Sequence, residues 1–342
     1  MFGQERYLVP GIATEDIFEN IGFDPAPAYA HFKAVYERDA AHRNAFDWAD
    51  SWRHLRNRLA QGALKDMMFE DFIGAEHLAR MFGWIENSHF PNFVQDRAFD
   101  DSIALAAERD RNALIAAGLD PAGRNIANVA LYNAQDYRFQ TFLPVPERQR
   151  IRTFVDFGAG HGRQANLWFA LPNSLDAFIA IDATPAPYLT QILYYRLLGL
   201  EVEDYLVRGE QWKVLPRPGT VHHLPSWRLD MIADQSVDLI CAVQVLRELS
   251  KPMLVHALTA FRRMLKPGGS LYIRDHFGFH SVNQVDLDRL LLAFGFVVEW
   301  QPNVVDRVDV HGIPRIWRLP EVEALIGGFR EGAGQAPPSR TF

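Results

Sequence analysis

Three glycines alternate with other residues directly after a short apolar run. The run is Thr-Phe-Val-Asp-Phe over residues 153–157, and Gly158, Gly160 and Gly162 follow it. Glycine has no Cβ, so glycines at a strand-to-helix turn permit a tight bend and let a ligand lie against the backbone. The spacing therefore predicts a loop that binds a nucleotide-type ligand.

The spacing also excludes two phosphate-binding loops. The dinucleotide fingerprint needs a glycine where Arg163 stands, and the P-loop needs a Gly-Lys-Ser/Thr sequence that does not follow here. A nicotinamide-dependent oxidoreductase is disfavoured for the same reason. Asp156 lies near the end of the apolar run, where a carboxylate suits a cationic ligand better than a pyrophosphate. We therefore expect a cationic ligand without phosphate.

A second acid ends the next apolar run. Residues 177–181 are apolar and Asp182 follows them, about twenty residues after the glycines, where a second strand presents a carboxylate to ribose hydroxyls. A helical pattern starts at Pro185, so capping of that helix is the alternative role. One carboxylate can serve both roles, and the sequence leaves them open.

Two later segments continue an alternating α/β pattern. Residues 237–243 read as a buried parallel strand, because they are few, apolar and rich in β-branched side chains. Residues 261–275 combine a helix end, a Leu-Lys-Pro-Gly-Gly turn and a further strand. This turn and the alternating glycines together resemble the class I S-adenosylmethionine-dependent methyltransferases, over roughly residues 150–320.

The resemblance implies a fold. It is a doubly wound, Rossmann-like α/β fold with a seven-stranded mixed sheet, whose last strand is antiparallel. Residues 294–300 and 315–319 supply two final strands, joined by a loop that contains Gly312 and Pro314. A connection of this hairpin type permits antiparallel entry, which a helical crossover does not.

The resemblance also implies a cofactor, S-adenosylmethionine, which leaves as S-adenosylhomocysteine, and a set of contacts. Asp156 and Gly158 are expected beside the methionine moiety, and Gly160 where the backbone approaches the adenosine. His161 is expected at the methionine end. Trp227, Asp230 and Met231 are expected at the adenine, and Gln244 at the cofactor or the reactive centre. The predicted cofactor residues are Asp156, Gly158, Gly160, His161, Gly162, Asp182, Trp227, Asp230, Met231 and Gln244.

A hydroxyl acceptor needs a base, because it is a poor nucleophile at neutral pH. His276 directly follows the strand that ends at Asp275, at the edge where open α/β sheets bind ligands, so it is the first candidate for general base. Asp275 is expected to orient His276, bind the substrate or help to hold a divalent ion, although the sequence indicates no metal site. His280 and His161 are lesser candidates, and a purely structural role for His276 stays open.

The acceptor is predicted to be a small molecule. Enzymes that methylate adenine or amides usually carry Asn/Asp-Pro-Pro-Tyr after the strand over 237–243, whereas this chain has Gln-Val-Leu-Arg-Glu from Gln244 to Glu248. Residues 125–138 mix amides with tyrosines, which suits a polyhydroxylated substrate but also an ordinary linker helix. The layout is similar to bacterial sugar O-methyltransferases of natural-product or surface-polysaccharide pathways. An N-methyltransferase and a non-catalytic S-adenosylmethionine-binding protein remain alternatives.

Three regions are predicted along the chain: a helical substrate-covering region at 1–150, the methyltransferase domain at 151–325 and a flexible tail at 326–342. Helical periodicity in the first region predicts four helices. Their apolar faces contain Tyr29, Phe32, Val35 and Tyr36; Trp48, Trp52, Leu55 and Leu59; Phe69, Phe72, Ile73, Met81 and Phe82; and Ile103, Leu114 and Ile115. The last of them is expected to begin near Asp101 and to stop at Gly118.

Composition excludes several partners. The 342 residues carry a net charge of −7 and no block of five basic residues, so nucleic acid is not an expected partner. No run of eighteen apolar residues and no signal-peptide pattern occurs, so we expect a cytoplasmic protein without a membrane partner. Cys241 is the only cysteine, and its apolar context predicts an inert thiol. The expected partner is a small-molecule substrate, and homo-oligomer formation stays open.

Overall fold

The structure is a computed structural model that describes residues 22–43, 96–118, 120–122, 126–142, 151–275, 285–302 and 312–320. The predicted helices around Trp48 and Phe69, the histidines His276 and His280, and the tail lie outside these residues. None of the helices in the described ranges is long and apolar enough to cross a membrane.

Eight strands form one sheet within these ranges. They are β1 (Thr153–Phe157), β2 (Ala177–Asp182), β3 (Glu201–Asp204), β4 (Thr220–Pro225), β5 (Val237–Val243), β6 (Leu265–Asp275), β7 (Val297–Trp300) and β8 (Ile313–Arg318). Their order is β3-β4-β2-β1-β5-β6-β8-β7. The first six are parallel to one another, and β8 lies antiparallel between β6 and β7.

The predicted doubly wound, Rossmann-like mixed sheet is confirmed, with its last strand antiparallel. The count exceeds the predicted seven because β3 adds an edge strand with the sequence Glu-Val-Glu-Asp, which contains no apolar run. Strand β4 was not placed from the sequence either, since His222 and His223 interrupt its apolar pattern although both are buried.

Helices cover the sheet. They are α1 (Pro25–Arg38), α2 (Ala40–Arg43), α3 (Arg97–Ala116), α4 (Ile126–Phe142), α5 (Ala165–Ala170), α6 (Pro185–Leu197), α7 (Tyr205–Arg208), α8 (Lys251–Met264) and α9 (Leu287–Ala293). Two 3₁₀ turns, Ser226–Met231 and Leu246–Glu248, follow β4 and β5. Buried residues of α1, α3 and α4 join those of the sheet in one continuous apolar core.

Helix α3 starts earlier than predicted. The Asp96 side chain caps it by accepting a hydrogen bond from the Phe99 N–H at 2.8 Å, so the helix begins at Arg97 and not near Asp101. Its predicted stop is confirmed, because Gly118 follows the helix with φ +71°. Helix α1 is confirmed as well, and its predicted face buries Phe32 and Val35.

The Leu-Lys-Pro-Gly-Gly turn is a bulge inside β6. Val237 of β5 pairs with Leu265 and Leu239 pairs with Ser270, so the intervening residues of β6 loop out of the ladder. A Cβ on Gly269 would lie 2.8 Å from the Lys266 carbonyl oxygen, which explains the second glycine. The bulge directly follows α8, and beyond it β6 continues to Asp275 at the carboxyl edge of the sheet.

Candidate active site

The glycine loop connects β1 to α5 at the carboxyl edge of the sheet. A Cβ on Gly158 would lie 2.5 Å from Cγ2 of Val245, and one on Gly162 would lie 2.5 Å from the Tyr195 ring. A Cβ on Gly160 would meet no described atom within 4 Å. The outer glycines are therefore required by packing within the protein, whereas the middle one borders open space.

Asp182 ends β2 beside this loop. Its Oδ2 accepts hydrogen bonds from the Gly160 N–H at 2.9 Å and from the Gln191 amide at 3.1 Å, and its Oδ1 accepts one from the Ala183 N–H at 2.7 Å. The N-cap position of α6 is Thr184, so Asp182 orients the loop and is not itself the cap. Burial raises the pKa of Asp182 to about 6, against the opposing effect of these donors.

Two more predicted residues lie at the same edge. Asp156 is buried in β1, and this burial raises its pKa to about 7 against the opposing effect of Arg163. His161 is half-buried in the loop. Burial and the neighbouring Arg163 lower its pKa to about 3, so the imidazole is neutral at physiological pH. A neutral ring suits contact with a ligand better than proton transfer.

The turn after β5 lies against the glycine loop. Gln244 has φ +60°, a left-handed conformation that is unusual for a residue with a side chain, and its N–H donates to the Arg274 carbonyl at 3.0 Å. This conformation directs the chain so that Val245 packs on Gly158. Backbone strain of this kind costs about 1–3 kcal/mol and concentrates at functional sites.

The chain segment that holds this site matches a known family. Residues 155–273, roughly a third of the chain, match the family model described as a methyltransferase domain. The chain contains a class I methyltransferase domain. Its cofactor is S-adenosylmethionine. The comparison with curated proteins gives no match.

Several solved structures are similar to this chain at low identity. The carbon methyltransferase CurJ is 13% identical, with 79% of this chain and 81% of that chain covered and a TM-score of 0.42. The [4+2]-cyclase SpnF is 20% identical, with 53% and 62% covered and a TM-score of 0.37. An arsenic(III) S-adenosylmethionine methyltransferase from Chlamydomonas reinhardtii is 18% identical, with 55% and 74% covered and a TM-score of 0.34. These likenesses are too distant to extend any of the three activities to this chain.

The residues of the methyltransferase domain fit the cofactor. Thr184 Oγ1 and Ser226 Oγ are buried at the carboxyl ends of β2 and β4 and have no hydrogen-bond partner among the described residues. Buried polar atoms usually have partners, so these two suit a polar ligand. Gly160 leaves room for the ligand, and Asp156 and Asp182 suit a positive charge. When bound, the cofactor supplies an electrophilic methyl group.

The residues predicted at the adenine have contacts within the protein. The Trp227 Nε1–H donates to Asp39 at 3.0 Å, and its ring packs edge-on against Phe32 of α1 with centroids 5.6 Å apart. Asp230 is exposed and forms a bidentate ion pair with Arg228 at 3.0 Å. Met231 is half-buried at the rim of the core. Their roles at the adenine stay predictions.

Asp275 turns toward β5. Its Oδ2 accepts a hydrogen bond from the Leu246 N–H at 2.8 Å, and its Oδ1 lies 3.9 Å from Nε of Arg247. Burial raises its pKa to about 7, against the opposing effect of Arg247. Because His276 and His280 lie outside the described residues, the pairing of His276 with Asp275 stays a prediction. Among the residues that the structure describes, no group of three or more metal-ligating side chains is arranged to hold an ion.

Glu248 lies in the same turn and is not among the residues predicted from the sequence. Burial raises its pKa to about 8, opposed by Arg247 and reinforced by the charges of Asp275 and Asp182. It is half-buried. Its position in the sequence could have identified it, because Glu248 lies four residues after Gln244, just beyond the strand end that faces the site. Asp182, Glu248 and Asp275 thus bring carboxyls from the ends of β2, β5 and β6 to one edge.

Asp136 was missed as well. This carboxylate of α4 is fully buried and pairs with Arg163 of the glycine loop and with Arg274 of β6, the latter at 3.1 Å. Both guanidinium groups lie over the Tyr132 ring, 4.0 and 4.4 Å from its centroid. Helix α4 therefore connects the glycine loop with the strand that carries Asp275.

Proposed function

We propose that this protein transfers a methyl group from S-adenosylmethionine to a hydroxyl of a small polar molecule, with a sugar or a natural-product intermediate as the predicted class. One observation carries the hydroxyl assignment. Glu248 and Asp275 bring two carboxyls together where β5 and β6 end, with Asp275 hydrogen-bonded to the turn that contains Glu248, and burial raises their pKa values to about 8 and about 7. An amine acceptor needs no strong base, whereas a hydroxyl does.

The chemistry follows from these two groups. A carboxylate with a raised pKa is a stronger proton acceptor than an ordinary one, and a base with a pKa near the working pH contributes typically 10²–10⁴-fold to the rate. We propose that a base at this edge takes the hydroxyl proton as the oxygen attacks the methyl group. His276 is one candidate, with Asp275 as its orienting partner, and Glu248 is the other.

The cofactor roles predicted from the sequence are part of the proposal. Asp182 binds the ribose, Gly160 lets the adenosine lie against the backbone, and Asp156 stands beside the methionine moiety. The order of β1, β2 and β4 supports this, because it brings these groups to adjacent positions of one sheet edge. Gln244 is expected at the cofactor or the reactive centre, and its left-handed backbone supports a functional role.

The amide side chains of α4 support a sugar acceptor less than the sequence suggested, because most of them bond within the protein. The Gln140 amide donates to Cys241 Sγ and accepts from the Trp168 Nε1–H at 3.0 Å, and Gln135 accepts from Arg274 at 3.3 Å. Those amides hold the helix on the domain. Asn133 is the exception, because it is buried and its amide has no partner among the described residues. The sugar class therefore rests on the overall layout and on this one amide.

The test is a methyl-transfer assay with the full chain, S-adenosylmethionine and a panel of sugars, polyols, phenols and amines, in which S-adenosylhomocysteine and the methylated product are measured. Turnover of hydroxyl compounds supports the proposal. Turnover of amines alone favours an N-methyltransferase. Tight cofactor binding without turnover favours a non-catalytic S-adenosylmethionine-binding protein.

Variants then identify the base. Glu248→Gln or His276→Ala should lower the single-turnover rate about 10²–10⁴-fold while cofactor affinity is retained. Glu108→Gln is the matched control, because Glu108 is exposed on α3. If both variants keep the wild-type rate, a base at this edge is not part of the mechanism.

A further inference from the structure

One face of α6 lies against the cofactor loop. Tyr188, Gln191 and Tyr195 are three and four residues apart on this helix and are all fully or nearly fully buried. Tyr195 packs on Gly162, and Tyr188 stacks on His223 of β4 with ring centroids 3.7 Å apart. Gln191, between the two tyrosines, is the residue of this face that bonds the loop directly.

The Gln191 amide joins two groups of the predicted ribose site. Its Nε2 donates to the Gly160 carbonyl at 2.7 Å and to Asp182 Oδ2 at 3.1 Å. The Gly160 N–H donates to that same Oδ2 at 2.9 Å. One amide thus holds both the peptide and the carboxylate that the cofactor is proposed to meet.

The orientation of this amide is determined by its surroundings. The Gly160 carbonyl and the Asp182 carboxylate only accept hydrogen bonds, so the amide nitrogen must face them. The amide oxygen then faces His223 Nε2 at 2.9 Å, and this ring nitrogen must carry a proton. His223 is fully buried, so water does not compete for this bond. A flipped amide would place its oxygen against two acceptors, the Gly160 carbonyl and the Asp182 carboxylate, and its nitrogen against the N–H of His223.

We propose that Gln191 is a positioning residue for the cofactor. It holds the Gly160 carbonyl and the Asp182 carboxylate in the arrangement that receives the ribose, and His223 holds Gln191. The inference rests on the proposed role of Asp182 and does not depend on which acceptor is methylated.

The test measures S-adenosylmethionine affinity of the full chain by calorimetry. Gln191→Met removes the donor at similar volume, and we expect about tenfold weaker binding, the loss of one hydrogen bond to a charged group. Thr190→Val is the matched control. Its hydroxyl is buried on the same helix and donates only to the Ala186 carbonyl at 2.7 Å, so its loss should leave cofactor affinity unchanged.

A second measurement separates positioning from general loosening of the helix. The Gln191 donor favours the charged form of Asp182, so Gln191→Met should move the acidic loss of cofactor binding to higher pH, and Thr190→Val should not. Gln191→Glu retains the acceptor for His223 and adds repulsion toward Asp182, so it should bind still more weakly. If Gln191→Met does not fold, the S-adenosylmethionine affinity of Gln191→Glu is measured in its place.

The outcomes are distinguishable. If Asp182→Ala weakens binding and the folded Gln191 variants bind as tightly as wild type, the positioning role is wrong and the ribose role stands. If Asp182→Ala has no effect, both are overturned. Unchanged affinity with an unshifted pH profile in Gln191→Met likewise overturns the inference.

Discussion

A single carboxylate, Asp136, compensates two buried arginines. Tyr272 donates to it at 2.5 Å and Arg274 at 3.1 Å, and Arg163 pairs with its other oxygen. Burial alone would raise its pKa, but the charges of Arg163 and Arg274 hold the pKa below its ordinary value. A buried pair contributes little net stability, yet removing one partner leaves an uncompensated charge.

We therefore expect Asp136→Asn to lower the free energy of unfolding by about 3–5 kcal/mol, as measured by urea denaturation. Asp96→Asn is the control. It removes the charge from a half-exposed pair with Arg138 and retains a good N-cap, so it should cost less than about 1 kcal/mol. Equal stability of the two variants would contradict the buried-charge account.

The glycines of the loop also differ residue by residue. Gly160→Ala should retain the fold, because only the left-handed φ of +59° costs it about 1–2 kcal/mol, but should weaken S-adenosylmethionine binding strongly. Gly199→Ala is a matched control, because Gly199 follows α6 outside the loop, has φ +71°, and its added Cβ would meet no described atom within 4 Å. Gly158→Ala should lower the melting temperature, since the added Cβ collides with Val245 and disrupts the packing of the loop. Thermal melts and calorimetry distinguish the three, and normal binding by Gly160→Ala would remove the ligand role of this loop.

At the scale of elements, α1 is held on the domain by a polar cluster. Asp39, directly after α1, accepts hydrogen bonds from the Tyr205 hydroxyl at 2.8 Å and the Trp227 indole at 3.0 Å. Asp39 is almost fully buried, which alone would raise its pKa, but its hydrogen bonds with Arg38, Trp227 and Tyr205 hold the pKa below its ordinary value. The Asp39 carboxylate thus joins the end of α1 to the turn after β4.

Trp227→Phe tests whether this tryptophan holds the helix or also binds the adenine. Loss of the indole donor should lower the free energy of unfolding by about 1–3 kcal/mol, because the Asp39 carboxylate loses a buried partner. If Trp227 also stacks on the adenine, S-adenosylmethionine affinity should fall in parallel; a stability loss alone assigns it to the helix contact. Tyr36→Phe, which retains the ring that packs on Trp227, is the control for disturbance of α1.

For the whole molecule, buried carboxyls make stability depend on pH. Burial raises the pKa of Asp110 and Asp182 to about 6, of Asp156 and Asp275 to about 7, and of Glu248 to about 8. The folded state thus binds more protons than the unfolded chain between about pH 4 and pH 8. Stability should therefore fall as pH rises through this range.

Melting temperatures at pH 5 and pH 8 check this expectation. The wild type should melt several degrees lower at pH 8, and Asp275→Asn should reduce that difference. Saturating S-adenosylmethionine should reduce it as well, because a bound cation favours the ionised carboxyls. Asp39 and Asp136 have lowered pKa values and act in the opposite sense, but only below about pH 4. Burial also lowers the pKa values of His161, His222 and His256, so these three groups oppose the trend below about pH 7, but the five carboxyls outnumber them and their effect extends to pH 8. A melting temperature that rises from pH 5 to pH 8 would refute this account.

The sequence by itself determined the class of fold and the position of the glycine loop. Alternating glycines, an acid at the end of each early strand and the Pro-Gly-Gly bulge are local patterns, and each arises from backbone geometry that the neighbouring residues impose. Strands β1, β2 and β5 could be predicted from the sequence because they are buried on both faces and are therefore almost continuously apolar. Strands β3 and β4 were not, because an acidic edge and two buried histidines break that pattern.

Only the tertiary structure decided which polar residues meet. Asp136 is 27 residues from Arg163 and 138 from Arg274, and Gln191 is 31 residues from Gly160, so no spacing rule connects them. Burial raises the pKa values of Glu248 and Asp275, and the charge of Asp275 adds to the shift of Glu248; both effects are properties of the assembled edge. Neighbouring residues determine local backbone geometry, whereas burial and charge compensation exist only once distant segments are packed together.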